Sequence, residues 1–518
     1  MRGRQALALV AAAALAGLSA SVAAQAWQSD RGDGTYANPP LYADYPDPDI
    51  IRVGGDFYFI TTTFANVPGL TIMTSRDLVN WRFVGHVIDR LEGLPEYDLK
   101  KGGAYRKGIF APSLRYRDGV FYIAVTPVGE KTRIYRSKDI RGPWTMNRIS
   151  EAAFDPGLFF DTDGSAYIMT SVGSDGTNTL LSLDRDLRTV TDKRVVYFNK
   201  GAEGSKLVKR GDTYYMFNAI PRRLGMTVSR AKSLFGPWET RDQIDDKTGG
   251  HQGAIVDLPD GTDYGFVMID AGAVGRMTNI SPVFWKDGWP VWGTPDAPGR
   301  VPATATKPIQ GQPVSLLPAS DDFTKPRLGL QWQWNHNPVA SGWSLTERPG
   351  WMRLRAGQAY TLWSARNTLL QKGQGPFSRG IVAIDPSHIA VGDQCGFGTF
   401  GKYNGHIAVG RGRDGRLTLT MRVIEDLADT QKTDVRVDAQ PITAKRLFLR
   451  TDMDFKTDRG SVAYSVDGRD WRTLGGDFPL AFDWRTGTFQ GQQYALFCYN
   501  PGAKGGWMDV DSFTLSGR

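Results

Sequence analysis

The sequence predicts an all-β chain, a five-bladed β-propeller followed by a β-sandwich, and three observations carry that prediction. An aromatic strand phrase occurs five times between residues 56 and 266, a second phrase recurs between its copies, and short alternating segments fill the region after residue 320. At 518 residues the chain also exceeds the roughly 250–300 residues that one core spans, so two or more domains are expected.

The first phrase is a glycine- or aspartate-bearing turn leading into an aromatic strand. Its copies are Asp56-Phe57-Tyr58-Phe59-Ile60, Gly119-Val120-Phe121-Tyr122-Ile123, Gly164-Ser165-Ala166-Tyr167-Ile168, Asp212-Thr213-Tyr214-Tyr215-Met216 and Gly261-Thr262-Asp263-Tyr264-Gly265-Phe266. The anchoring tyrosines lie 64, 45, 48 and 49 residues apart. The second phrase reads Ser75-Arg76-Asp77-Leu78 with Trp81, Ser137-Lys138-Asp139-Ile140 with Trp144, and Asp184-Arg185-Asp186-Leu187, with a looser copy from Ser229 to Leu234 and Trp238. Periods of this length built from several short strands are the signature of propeller blades, and five anchors imply five blades.

A blade is a small sheet that cannot bury both faces alone, so blades stack around an axis and their innermost strands line a channel. The positions that precede the five tyrosines by 11, 12, 12, 12 and 13 residues are Asp47, Phe110, Asp155, Glu203 and His251. Equivalent positions on five inner strands converge, so three carboxylates, an aromatic ring and a histidine are expected in one pocket. Paired carboxyl groups cleave glycosidic bonds, one donating a proton to the leaving oxygen and the other acting as base or nucleophile. A third acid nearby raises the proton affinity of its neighbours, because like charges resist simultaneous ionisation. The contexts differ: prolines fix the backbone in Tyr45-Pro46-Asp47-Pro48-Asp49, whereas Ala202-Glu203-Gly204-Ser205 lets a longer side chain reach inward. Asp49 and Asp161 read as turn or cap residues.

These segments resemble glycoside hydrolase family 43. The resemblance rests on Asn38-Pro39, Tyr45-Pro46-Asp47-Pro48-Asp49-Ile50, Gly108-Ile109-Phe110-Ala111-Pro112-Ser113, Asp155-Pro156-Gly157-Leu158-Phe159-Phe160-Asp161, Glu203-Gly204-Ser205-Lys206-Leu207 and Gly250-His251-Gln252-Gly253-Ala254. It implies a five-bladed propeller that hydrolyses with inversion. Asp47 is then the general base, Asp155 the residue that modulates and orients the acid, and Glu203 the general acid. Arg276, in Ala273-Val274-Gly275-Arg276, resembles an arginine that binds substrate hydroxyls. His251 resembles an axial histidine that either meets calcium through water or hydrogen-bonds within the site. Phe64 resembles a wall of the sugar subsite. One departure stands out: the family usually shows Trp-Ala-Pro where this chain has Phe110-Ala111-Pro112, a smaller platform without an indole donor.

After Trp289-Pro290-Val291-Trp292 a polar, proline-rich stretch at 299–319 lacks periodicity and reads as a linker or strap, which bounds the propeller at 36–298. Residues 320–518 read as the sandwich, with strands such as Trp351-Met352-Arg353-Leu354-Arg355 and Leu417-Thr418-Leu419-Thr420-Met421-Arg422. Asp321-Asp322-Phe323, Leu330-Gln331-Trp332-Gln333-Trp334-Asn335 and Trp343-Ser344-Leu345-Thr346-Glu347-Arg348-Pro349 resemble the C-terminal domain of family β-xylosidases. In such relatives a loop of this domain closes the pocket with an aromatic residue, and Phe489 occupies the matching segment.

The resemblance implies an exo-acting enzyme that releases terminal β-D-xylose or α-L-arabinofuranose from xylan- or arabinan-derived oligosaccharides, with no cofactor required and calcium as an optional companion of His251. Two other readings share the features: an arabinanase or galactan-cleaving exo-enzyme of the same family, and a non-catalytic sugar-binding propeller. A C-terminal domain argues against the arabinanase, Phe110 leaves the galactan reading open, and three intact carboxylates argue against a mere binding protein. The 15 tryptophans suit sugar recognition in either case.

Arg2 and Arg4, the apolar residues 6–20 and Ala24-Gln25-Ala26 read as a secretory signal that ends before Trp27 and imply a periplasmic or secreted protein; the alternative, a retained membrane anchor, is disfavoured by an alanine-rich core that is short for a span. Its removal lowers the formal charge from +8 to +6, and the surplus is dispersed with no basic block that would grip nucleic acid. In an oxidising compartment Cys395 and Cys498 could pair. The sequence specifies no oligomeric state.

Overall fold

Five antiparallel sheets arranged as propeller blades occupy residues 49–298 in the computed structural model, which describes residues 27–244, 250–425, 433–502 and 505–517. The expected signal segment lies outside the described residues. Blade 1 comprises Asp49–Val53, Asp56–Thr61, Thr71–Ser75 and Trp81–Gly85; blade 2 comprises Ser113–Arg117, Val120–Val125, Arg133–Ser137 and Thr145–Arg148. Blade 3 runs Phe154–Phe160, Ala166–Ser171, Thr177–Leu183 and Val190–Phe198, and blade 4 runs Glu203–Arg210, Thr213–Ile220, Gly225–Ala231 and Glu239–Ile244. Blade 5 adds a short fifth strand, Ala297–Pro298, to Gly250–Asp257, Asp263–Asp270, Arg276–Lys286 and Trp289–Thr294. All five anchoring tyrosines fall in the second strand of their blade. The second phrase makes the corner between strands three and four, where the Asp77 carboxylate accepts the Val79 and Asn80 amides (3.0 and 2.8 Å).

Apolar residues alternate onto the blade faces and meet between neighbours. Ile60, Ile72, Leu114 and Ile123 join blades 1 and 2; Ala124, Leu158 and Ile168 join blades 2 and 3; Phe159, Met169, Leu207 and Met216 join blades 3 and 4; and Phe217, Phe266, Trp292 and Phe57 join blades 4, 5 and 1. Each buried Ile, Leu, Met or Phe among them contributes about 1.5–3 kcal/mol. The stretch between the domains is a strap: Thr304–Thr306 pairs with Thr35–Ala37, and the Asn38 amide bridges the Ile280 and Pro302 carbonyls (2.7 and 2.8 Å).

The second domain is a sandwich of a nine-stranded and an eight-stranded sheet around Trp332, Phe397, Tyr494 and Phe513. Cys395 and Cys498 face each other on paired strands and form a disulfide. The propeller lends a strand to this domain: Asn66–Val67 of the loop after the first aromatic strand pairs with Gln333–Asn335. That loop carries Phe64, so the sheet pairing fixes a pocket wall against the sandwich. Among the described residues no helix is long and apolar enough to cross a membrane.

Candidate active site

Asp155, Glu203 and His251 lie at the channel end of the inner strands of blades 3, 4 and 5, and Asp47 and Phe110 lie just before those of blades 1 and 2. The backbone repeats here as well. Asp47, Ala111, Asp155, Gly204 and Gln252 have φ of 52°, 33°, 45°, 59° and 51°, so every blade enters the left-handed region at the aligned position or one residue beyond it. In blades 3, 4 and 5 the pairing register shifts at this point. A bulge unpairs the strand locally and re-aims its side chain, which turns these residues toward the axis. Holding non-glycine residues in this conformation costs about 1–3 kcal/mol each, so the surrounding contacts must over-determine it.

Those contacts are visible around Asp47. Its Oδ2 accepts the Thr62 hydroxyl at 2.6 Å, and Thr62 Oγ1 in turn accepts the Ala111 amide at 2.7 Å, tying blade 1 to the segment that carries Phe110. The Arg276 guanidinium reaches Asp47 Oδ1 at 3.4 Å, and both side chains are buried. Burial, together with the charges of Glu203 and Asp47, pushes the Asp155 carboxyl well above the usual carboxylate range. Burial raises Glu203 too, against the Ser174 hydroxyl that donates to its Oε2 and pulls the other way, while the charge of Asp47 adds to the rise. The site therefore holds one carboxylate beside a cation and two carboxyls driven toward the protonated form.

The walls are aromatic. Phe64 meets the Phe110 ring edge-on at 5.1 Å and the Phe489 ring at 5.0 Å, and Phe482 stacks on Phe489 at 6.1 Å. The Arg276 guanidinium lies 4.3 Å from the Phe489 ring centre and donates to the Phe489 carbonyl at 3.3 Å. Phe489 belongs to the sandwich, so the second domain reaches the pocket. His251 Nε2 pairs with Asp270 Oδ1 at 3.1 Å, while its buried Nδ1 has no hydrogen-bond partner. Among the described residues no group of three or more His, Cys, Asp and Glu is placed to hold a metal. One engaged histidine does not make a calcium cage.

The structure thus brings all eight expected residues, Asp47, Phe64, Phe110, Asp155, Glu203, His251, Arg276 and Phe489, to the propeller mouth. It adds Thr62, Ser174, Asp270 and Phe482. Thr62 sits in a plain Thr61-Thr62-Thr63 run and Ser174 in a polar turn, neither of which carries a repeat signal.

Residues 36–290 match the profile of Glycosyl hydrolases family 43, and residues 320–516 match the Beta xylosidase C-terminal Concanavalin A-like domain. A Beta-xylosidase of Formosa agariphila is 32% identical over 94% of this chain and 91% of its own length. The chain belongs to glycoside hydrolase family 43. Other family 43 relatives include a Non-reducing end alpha-L-arabinofuranosidase of Bacteroides ovatus, 34% identical over 62% of this chain and 65% of that one. A solved family 43 hydrolase, engineered to display both endo-xylanase and exo-arabinofuranosidase activity, superposes with a TM-score of 0.86 at 29% identity, covering 93% of this chain and all (100%) of that one. Membership in family 43 makes the protein a glycoside hydrolase with the propeller and sandwich described above.

Proposed function

We propose that this hydrolase is an exo-acting, inverting enzyme that releases terminal β-D-xylose, α-L-arabinofuranose or both from xylan- and arabinan-derived oligosaccharides. The observation that carries this reading is the convergence of three carboxyl groups and Arg276 in a pocket that a second-domain residue, Phe489, helps to wall. A mouth narrowed in this way suits a chain end. The names of the two curated relatives support both sugars.

In the mechanism, Glu203 protonates the glycosidic oxygen, for which its raised proton affinity suits it. Asp47, held by Thr62 and Arg276, takes a proton from the water that attacks the anomeric carbon from the opposite face. Asp155, its carboxyl raised by burial and by the charges of Glu203 and Asp47, sits beside the acid and orients it. Arg276 and the ring walls hold the sugar through its hydroxyls and apolar faces. The test is initial rates on aryl β-D-xylopyranoside and aryl α-L-arabinofuranoside, with Glu203→Ala as blank. A rate on either supports the proposal, and none above blank on both overturns it in favour of galactans or sugar binding alone.

We further propose export to the periplasm or medium. The cross-strand disulfide suits an oxidising compartment. Trp27, the first residue after the expected cleavage point, is anchored by its indole on the Pro39 carbonyl at 2.8 Å. N-terminal sequencing of exported protein should begin at Trp27, and an intact chain confined to the cytosol would refute export.

A further inference from the structure

Behind the arginine wall, at the seam of the two domains, lies a buried carboxylate that the proton transfers do not use. Asp44 precedes the base by three residues and is 2% exposed. Its Oδ1 accepts the backbone amide of Arg276 at 2.8 Å, and the Gly491 amide interacts with the same carboxylate. The adjacent Tyr45 amide donates to the Arg276 carbonyl at 3.0 Å, so the backbone of Arg276 is gripped on both sides.

Three segments meet here with no room for a further side chain between them. Gly275 has φ of 96°, and a Cβ on it would lie 2.3 Å from Asp44 Oδ1 and 2.7 Å from the Gly491 nitrogen. A Cβ on Gly491 would lie 1.9 Å from the Val274 carbonyl oxygen. The Gln492 amide closes the contact on the Ala273 carbonyl at 2.9 Å. Gly491 follows Phe489 by two residues, so the clamp acts on both the arginine-bearing strand and the loop that supplies the aromatic wall.

The countercharge comes from the other domain. Lys372, on the sandwich strand Leu369–Lys372, places Nζ 4.0 Å from Asp44 Oδ2. Both atoms are buried without a direct hydrogen-bond partner, and the same ammonium lies 5.3 Å from the Tyr45 ring centre. Burial pushes the Asp44 carboxyl up and the Lys372 amine down, while the charges of Lys372 and Arg276 favour ionised Asp44, so the pair stays charged only where the geometry repays its desolvation.

We propose that Asp44, with Lys372 as its counterion, is a positioning residue for substrate binding that locks Arg276 and the Phe489 loop together across the domain seam. The inference rests on the reading of this pocket as the sugar site. Two measurements on the full-length protein test it. In hydrogen exchange followed by mass spectrometry, Asp44→Ala should speed exchange in the peptides around 274–278 and 488–493 while the sandwich-core strand Gln394–Phe400 stays protected. Unchanged protection in both peptides overturns the clamp whatever the substrate proves to be.

In kinetics on the aryl pentoside that the native enzyme cleaves, Asp44→Ala should raise KM about tenfold, and the Asp44→Ala/Arg276→Ala double variant should be no worse than Arg276→Ala alone. Effects that multiply instead would mean that Asp44 does not act through Arg276. Should Asp44→Ala fail to fold, Asp44→Asn keeps an acceptor for the Arg276 amide and should hold KM within about threefold of native. A tenfold rise in Asp44→Asn with kcat falling equally would contradict the role. An inactive native enzyme would count against the proposed function, and the exchange result would still decide the clamp.

Discussion

Replacing Thr62 by valine removes a hydroxyl at nearly constant volume and breaks two contacts at once. Thr62 Oγ1 donates to the Asp47 carboxylate at 2.6 Å and accepts the Ala111 amide at 2.7 Å, with the residue only 1% exposed. A hydrogen bond to a charged group contributes about 1.5–3 kcal/mol. If that energy is needed to aim the base in the transition state, kcat/KM should fall by roughly 10- to 150-fold, since about 1.4 kcal/mol corresponds to tenfold. The Ala111 amide, left buried without its partner, adds about 1–3 kcal/mol of destabilisation. Urea unfolding would read that loss, and initial rates at saturating and sub-saturating aryl pentoside would separate kcat from KM. The fall should appear mostly in kcat, because Thr62 touches the base and not the sugar walls. A folded Thr62→Val enzyme with kcat/KM within threefold of native would refute the reasoning.

Three further outcomes follow from the same geometry. Ser174→Ala removes a donor that favours the ionised form of Glu203, so the acid should hold its proton to higher pH; activity that is lost as pH rises through that ionisation should extend further into the alkaline range, and a kcat/KM profile with an unmoved alkaline limb would contradict this. Phe489→Ala deletes a ring that faces both Arg276 and Phe64, interactions of about 0.5–1 kcal/mol each, so KM should rise by roughly five- to thirtyfold with the sandwich still folded by circular dichroism. The Cys395→Ser/Cys498→Ser protein loses a cross-link spanning 103 residues, for which chain entropy gives about 3–5 kcal/mol, and its unfolding midpoint in urea should fall while kcat stays native; an unchanged midpoint would contradict that.

The blades were legible because each repeats its own chemistry. Tyrosines 58, 122, 167, 215 and 264 all lie on second strands, and counting back from them reaches the five channel positions. That count works because one residue type recurs at one place in every sheet. Thr62, Ser174 and Asp44 were not legible, since each acts through a neighbour distant in sequence: Thr62 through Ala111, Ser174 through Glu203, and Asp44 through Arg276 and Lys372. The strand Asn66–Val67 escaped for a related reason, as two residues show no alternation and their partner lies in the other domain. The left-handed backbone at Asp47 and Asp155 is likewise a product of closure around the axis, and aspartate is common enough in turns that its identity alone does not announce it.

In the proposed mechanism Asp47 activates a water molecule for direct displacement at the anomeric carbon while Glu203 protonates the leaving oxygen. Proton NMR of fresh xylobiose hydrolysis reads it most directly, because the first anomer released reports the face of attack. The native enzyme should release α-xylose first, and Asp47→Asn should release none. β-Xylose appearing first, or a near-native rate from Asp47→Asn, would contradict that mechanism.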